Sequence, residues 1–208
     1  MIVIGLTGSI GMGKSTTAQM FADAGAMVWD ADAAVHRLYA RGAAGSRAIA
    51  EIVPEAVKDG AVDRIALRDA IITNDVLLKQ VEAAIHPLVG QDRAAAMAQA
   101  RADGFAVAVF DIPLLFEGRS ADGFDAVVVA SAPADVQRTR VLARPGMTAA
   151  AFEAILAKQI PDAEKRARAD FVIDTGSGLS AARQQVDAVM AWAKAQPANP
   201  SDEGDTSA

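Results

Sequence analysis

Five short runs of apolar residues recur along the chain, and stretches with helical spacing separate them. The runs cover residues 2–6, 25–29, 106–110, 126–130 and 171–173. Each run is continuous instead of alternating with polar residues, which is typical of strands buried on both faces of a parallel sheet. Strands that alternate with helices in this way predict an α/β fold, with a parallel sheet flanked by helices.

The longest interruption between two runs extends from residue 33 to residue 104 and has helical character without a convincing strand. Within it, Asp63 is a candidate N-cap for a helix whose apolar positions begin at Ile65. Pro87 is a candidate first residue of a long helix through Ala102. Because this stretch is far longer than an ordinary crossover connection, we predict a helical insertion domain over one end of the sheet.

A second pair of helices is predicted between residues 134 and 158, with a proline–glycine turn between them. Arg140 and Arg144 are one helical turn apart and share a face, whereas Arg138 points elsewhere. Two arginines on one face of a short helical hairpin could form a cationic clamp over a ligand's phosphates. The alternative is a solvated helix face, which is the usual environment of surface arginines.

Composition narrows the possible partners. The chain has 208 residues, 52% of them apolar, and its 20 basic and 26 acidic residues give a net charge of −6. Such a balance argues against nucleic acid or an anionic membrane surface as a partner. Three of the acidic residues lie in the polar segment 197–208, which we expect to be a disordered tail.

The chain has no cysteine, which excludes disulfides, thiolate metal sites and cysteine nucleophiles and fits a reducing cytoplasm. No segment is apolar and long enough to span a bilayer. The first run begins next to Met1 and leaves no room for a secretory signal. We therefore expect a cytoplasmic protein without a membrane partner.

The strongest chemical signal is the segment Gly8-Ser9-Ile10-Gly11-Met12-Gly13-Lys14-Ser15, which has the phosphate-binding P-loop pattern. Its glycines let the backbone turn through positive φ and approach a ligand, so that successive N–H groups form a concave anion site. Lys14 can reach the β- and γ-phosphates of ATP, and the Ser15 hydroxyl can ligate Mg²⁺. A strand before the segment and a helix after it favour this interpretation over a glycine-rich turn that binds nothing.

Phosphoryl transfer also needs a group that accepts the proton of the acceptor hydroxyl. Asp30 and Asp32 follow the second apolar run and would alternate along an extended segment, pointing to opposite sides. Asp32 lies nearer the helical insertion and is the candidate base. The alternative role of Asp32 is an N-cap for a helix beginning at Ala33.

A second acidic group is expected near the metal. Asp111 ends the third apolar run and could hold Mg²⁺ through water, or it could only initiate the turn before Ile112-Pro113. His36 and His86 have no histidine or cysteine partners at ligand spacing, so a metal site at either is disfavoured. His86 is a structural or ligand-contacting residue.

The order of several motifs resembles the dephospho-coenzyme A kinase family over residues 4–176. The P-loop close to the N-terminus is followed by Asp-Ala-Asp at 30–32, His-Pro at 86–87, Pro-Leu-Leu-Phe-Glu at 113–117, Gln-Arg-Thr-Arg-Val at 137–141 and Arg-Ala-Asp-Phe-Val-Ile-Asp at 168–174. The resemblance implies a P-loop NTPase-type core, a CoA-binding helical insertion and a short helical lid. The corresponding ranges are 1–32, 105–137 and 161–196 for the core, 33–104 for the insertion and 138–160 for the lid.

The resemblance also implies an activity: transfer of the ATP γ-phosphate to the ribose 3′-hydroxyl of dephospho-CoA, the last step of coenzyme A synthesis. Asp32 matches the family's proposed base, Lys14 its phosphate lysine and Arg140 its lid arginine. His86 and Leu114 match positions at the family's binding site for the acceptor, dephospho-CoA. The implied ATP contacts are Gly8, Gly11, Met12, Gly13, Lys14, Ser15, Thr16, Arg144 and Thr175. Ser9 stands where the family often has glycine, Met12 where a small residue is usual and Thr175 where asparagine is common.

Two other functions fit the P-loop. One is a kinase for a nucleoside monophosphate or another small metabolite hydroxyl. The other is a nucleotide switch or ATP-binding module without transfer chemistry, but the Asn-Lys-x-Asp guanine motif of GTPase switches is absent from the sequence. A pure binding module would have little use for both Asp32 and a lid that carries Arg140. We expect a monomer or a weak homo-oligomer.

Overall fold

The structure is a computed structural model that describes residues 1–118 and 123–197. It divides into two compact units, Met1–Trp29 with Ala100–Ala208 and Asp30–Gln99. The strands are β1 Ile2–Thr7, β2 Met27–Asp30, β3 Val57–Lys58, β4 Ala61–Val62, β5 Val107–Asp111, β6 Ala126–Ser131 and β7 Phe171–Asp174. The helices are α1 Lys14–Asp23, α2 Ala31–Leu38, α3 Ala44–Ile52, α4 Arg64–Ile71, α5 Asp75–Ala102, α6 Ala134–Leu142, α7 Ala149–Leu156, α8 Asp162–Ala167 and α9 Leu179–Ala195, with a 3₁₀ turn at Pro54–Ala56.

All five predicted strands form one sheet with the order β2-β5-β1-β6-β7. The pairings of β1 with β5, of β1 with β6 and of β6 with β7 are parallel, and β1, β5 and β6 are buried along their whole length. The predicted α/β class is therefore confirmed. Because the strands are parallel, the P-loop after β1 shares a sheet edge with the residues that follow β5, β6 and β7.

The continuous apolar runs have a direct explanation in β6. Val128 packs into a cluster with Phe21 of α1 and Val186 of α9, whereas Val127 and Val129 pack into a second cluster with residues that follow β5. Successive side chains of a strand point to opposite faces. Both faces of this strand are covered, so every position is apolar.

The second unit has its own core and corrects one predicted boundary. Pro87 does not begin the long helix but lies inside α5, which starts at Asp75 after an Asn74 side chain that accepts from the Leu77 N–H at 3.0 Å. Val81, Ile85 and Leu88 lie on both sides of Pro87 and pack into the same cluster. Burying Val81 and Ile85 together stabilises by roughly 3–6 kcal/mol, which offsets the cost of about 3 kcal/mol for one interior proline.

A short hairpin in the second unit corrects the expectation of an insertion without strands. Strands β3 and β4 pair antiparallel, with Val57 opposite Val62. Asp59 and Gly60 connect them with φ values of 51° and 78°. Positive φ at both central residues is the geometry that an Asp-Gly hairpin turn requires.

Helix α4 confirms another prediction. The Asp63 carboxylate accepts hydrogen bonds from the N–H groups of Ile65 and Ala66, at 3.0 and 3.1 Å, and so caps the helix. The pKa of the Asp63 carboxyl is lowered, first by a hydrogen bond from Lys58 and then by the bond from the Ala66 N–H.

In the part of the chain that the structure describes, no helix is long and apolar enough to cross a membrane. All but the first residue of the predicted tail 197–208 lies outside the described residues.

Candidate nucleotide site

The P-loop connects β1 to α1, and the helix begins at Lys14 as the sequence predicts. Gly11 and Gly13 have φ values of 77° and 81°, in the left-handed region that favours glycine. Gly13 is the N-cap of α1 and has no side chain to bond the first N–H groups of the helix. Those groups, together with the positive end of the helix dipole, can therefore bind an anion.

The glycines of the loop are also required by the elements that pack on it. A Cβ on Gly8 would lie 2.6 Å from the carbonyl oxygen of Ala130 in β6, and a Cβ on Gly11 would overlap Cγ2 of Val141 in α6. A Cβ on Gly13 would lie 2.9 Å from Oγ1 of Thr175. The loop is thus held between β6, α6 and the residue after β7, which fixes its backbone in one shape.

Lys14 is anchored in the structure by Asp111. The ammonium group of Lys14 donates to Oδ1 of Asp111, the last residue of β5, whose side chain is 1% exposed. This ion pair holds the ammonium group of Lys14 at the carboxyl end of β5. The predicted metal role of Asp111 stays a prediction. Among the described residues no group of three or more His, Cys, Asp or Glu is arranged to hold a metal ion.

Arg140 reaches the nucleotide loop through Thr175. Its guanidinium donates to Oγ1 and to the carbonyl oxygen of Thr175 at 2.9 and 2.6 Å, and the Thr175 hydroxyl donates to the carbonyl oxygen of Met12 at 2.9 Å. The structure therefore brings three predicted site residues into one hydrogen-bonded chain. Arg144 is exposed just after α6. Arg138 pairs instead with Glu153 of α7 at 2.8 Å, in agreement with its predicted separation from the other two arginines.

Two glutamines that the sequence analysis did not single out also contact the loop. Gln137, the residue before the predicted lid, donates to the carbonyl oxygen of Ile10 at 2.7 Å. Gln159, near the end of the lid, accepts from the N–H of Ile10 at 3.1 Å. For Gln137 a signal existed, because it lies four residues before Val141 and so shares the buried face of α6. Gln159 has no such pattern.

The acidic pair of the second unit differs from the prediction. The two residues do not alternate along an extended segment, because β2 ends at Asp30 and α2 begins at Ala31. Asp30 is the N-cap, and its Oδ1 accepts from the Ala33 N–H at 2.8 Å. The alternative cap role of Asp32 is therefore wrong. Asp32 is exposed in the first turn of α2.

The predicted acceptor residues lie in different units, each on an exposed position. His86 is on the exposed side of α5, and Leu114 is 50% exposed in the turn after β5. The end of that turn is anchored by Glu117. Its carboxylate accepts from the Ile160 N–H at 2.9 Å and lies 2.7 Å from the ammonium of Lys165, which is fully buried.

The chain is similar to known proteins over most of its length. A family model described as CoaE: Dephospho-CoA kinase matches residues 2–181. A dephospho-CoA kinase of Mesorhizobium japonicum is 57% identical over 190 residues, which cover 91% of this chain and 95% of that protein. One of Cereibacter sphaeroides is 56% identical over 188 residues, covering 90% and 93%. A crystal structure of a Thermus thermophilus protein matches with a TM-score of 0.75 at 32% identity, over 92% of this chain and 97% of that one.

Proposed function

The chain belongs to the dephospho-CoA kinase family, and from this premise we propose that it transfers the γ-phosphate of ATP to the ribose 3′-hydroxyl of dephospho-CoA, giving CoA and ADP. This reaction is the final step of CoA biosynthesis. The observation that carries the proposal is the identity of 57% across nine-tenths of the chain to a relative of that name. The P-loop, with Lys14 at its end, supplies the phosphate site that the reaction needs.

The nucleotide side follows from the loop and its neighbours. The N–H groups at the start of α1 would bind the β- and γ-phosphates, and Lys14, which is paired with Asp111, would contact the same oxygens. The Ser15 hydroxyl and the Asp111 carboxylate are the hard oxygen donors that Mg²⁺ prefers, so they would hold the ion, Asp111 through water, and the bound ion would neutralise charge on the phosphate oxygens. Thr16 and Met12 contribute backbone contacts.

Arg140 acts as the cationic clamp in this proposal. Thr175 accepts hydrogen bonds from two nitrogens of the Arg140 guanidinium, and these bonds limit the rotation of the long Arg140 side chain. Because the side chain is already ordered, little further conformational entropy is lost when ATP binds. A preorganised charge stabilises the transition state more than one that must first be ordered. Arg144, exposed after the last turn of the same helix, adds a second positive charge on the ATP side.

Asp32 is the general base on the acceptor side. Asp30 caps α2, so the Asp32 carboxylate does not serve as the N-cap. The residue follows the carboxyl end of a sheet strand, where ligands of parallel α/β folds bind. His86 and Leu114 contact dephospho-CoA. These roles predict that the proton of the 3′-hydroxyl passes to an oxygen of Asp32 as the ribose oxygen bonds to the γ-phosphorus and the bond from that phosphorus to the ADP oxygen breaks.

An acceptor panel tests the proposed function. Purified protein with MgATP is given dephospho-CoA, nucleoside monophosphates or shikimate, one at a time, and ADP is measured while the product is identified by mass. CoA formed from dephospho-CoA alone supports the proposal, whereas preferred turnover of another acceptor refutes it. The cytoplasmic location and the monomeric or weakly homo-oligomeric state stay predictions, for cell fractionation and light scattering to test.

A further inference from the structure

Both backbone polar groups of one P-loop residue are bonded by side chains that flank the predicted lid segment 138–160, one just before its first residue and one near its last. The Ile10 carbonyl accepts from Nε2 of Gln137 at 2.7 Å, and the Ile10 N–H donates to Oε1 of Gln159 at 3.1 Å. A carbonyl can only accept and an N–H can only donate, so each amide must present a defined end. The two contacts therefore have opposite and fixed polarity.

The first of these contacts belongs to a larger attachment of α6 to the loop. Gln137 is 5% exposed, and Val141, one turn later, touches Gly11 so closely that a Cβ there would overlap it. Arg140 reaches Met12 through the Thr175 hydroxyl. Three successive loop residues are thus held from one helix.

We propose, on the basis of the proposed function, that Gln137 and Gln159 are positioning residues that hold the tip of the P-loop to α6, just before the lid segment, and to the end of that segment. A phosphate cradle binds tightly only when its N–H groups are already aligned, because ordering the loop during binding lowers affinity. The two bonds keep that alignment. They also make the conformation of the lid and the affinity for MgATP depend on each other, since both share Ile10.

The opposite polarity of the two contacts allows a sharp test with a single substitution type. Gln159→Glu keeps an oxygen that accepts from the Ile10 N–H. Gln137→Glu replaces a donor by an oxygen that faces the Ile10 carbonyl. Both variants add the same charge near the same residue, so general repulsion of ATP affects both. We expect Gln137→Glu to weaken binding of a non-hydrolysable MgATP analogue about tenfold more than Gln159→Glu, measured by titration calorimetry.

Methionine variants keep the test independent of charge and of folding defects. Gln137→Met and Gln159→Met retain chain length but remove both polar ends. Each is expected to weaken analogue binding about threefold to tenfold and to raise KM for ATP more than KM for dephospho-CoA. The control is Gln19→Met on α1, whose amide bonds the exposed Asp23. Thermal unfolding identifies any variant that fails to fold.

The outcomes separate the inference from the proposed function. Analogue binding does not require turnover, so the inference can be tested even where the acceptor panel gives no CoA. Folded Met variants that bind the analogue as tightly as the unmodified protein, or Glu variants that are equally weakened, would overturn the positioning role. Reduced stability with unchanged affinity would also overturn it, because it would reveal contacts that are merely structural.

Discussion

The buried ion pair between Glu117 and Lys165 offers a prediction with a large expected magnitude. The Lys165 side chain is 0% exposed, and its ammonium lies 2.7 Å from the carboxylate of Glu117, which is 15% exposed. Glu117→Leu leaves that ammonium buried without a counter-charge. Removing one partner of a buried pair costs about 3–5 kcal/mol in the free energy of unfolding. In a chain of this size the same loss lowers Tm by roughly 6–20 °C.

Urea denaturation at neutral pH measures this loss directly. The chain has two tryptophans, Trp29 and Trp192, and both belong to the unit that contains the ion pair, so their fluorescence follows its unfolding. The double variant Glu117→Leu/Lys165→Met should recover most of the stability, because an apolar pair of similar volume needs no charge compensation.

Glu164→Ala provides the matched control for this series. Glu164 adjoins Lys165 along the chain but forms an exposed pair with Arg168 at 3.8 Å, so its loss should change the free energy of unfolding by less than about 1 kcal/mol. A loss below about 1 kcal/mol for Glu117→Leu, or a double variant no more stable than the single one, would refute the reasoning.

Three further predictions concern catalysis and pH. In a steady-state assay, Asp32→Asn should lower kcat by a factor of about 10²–10⁴ and leave ATP affinity unchanged. The control Asp30→Asn keeps a side chain that can cap α2, so it should retain activity in the same assay. Lys14→Ala should abolish single-turnover CoA formation while the control Lys58→Ala retains it; transfer by the Lys14 variant would contradict the phosphate role. Burial raises the pKa of Glu117, but hydrogen bonds from Lys165 and the Ile160 N–H outweigh burial and bring it below its ordinary value of 4.5. The stabilisation by the ion pair is therefore complete above the ordinary pKa of Glu117 and is lost as pH falls through its lower pKa in the folded protein. The free energy of unfolding should consequently fall more steeply with decreasing pH in the unmodified protein than in the double variant.

The sheet could be predicted from the sequence because its signal is local. A strand buried on both faces needs an uninterrupted apolar run, and each of the five runs is a strand of the sheet whose ends differ from the prediction by at most two residues. The Asp59-Gly60 hairpin was missed because its strands are only two residues long. Pro87 misled the prediction because packing of α5 on the core of its own unit overrides a local backbone preference.

In the candidate site, too, features that depend on one continuous segment could be predicted, whereas contacts between distant segments could not. The P-loop is one continuous segment, and its motif is associated with a defined backbone conformation. The turn of the loop and the helix that follows could therefore be predicted. The bonds of Ile10 join residues separated by 127 and 149 positions, and Glu117 reaches Ile160 across 43. Gln159 belongs to no motif, and the helical spacing of Gln137 from Val141 predicts burial but not its partner, so these contacts emerge only when the fold brings the segments together.

The bonding of Thr175 suggests how this position can vary in evolution. Its hydroxyl donates one hydrogen bond to the carbonyl oxygen of Met12 and accepts one from the Arg140 guanidinium, so the position needs one donor and one acceptor on a short side chain. The amide of asparagine offers the same two polarities. We therefore expect Thr175→Ser and Thr175→Asn to keep a donor and an acceptor at this position, whereas Thr175→Val, of nearly the same shape, loses both side-chain hydrogen bonds.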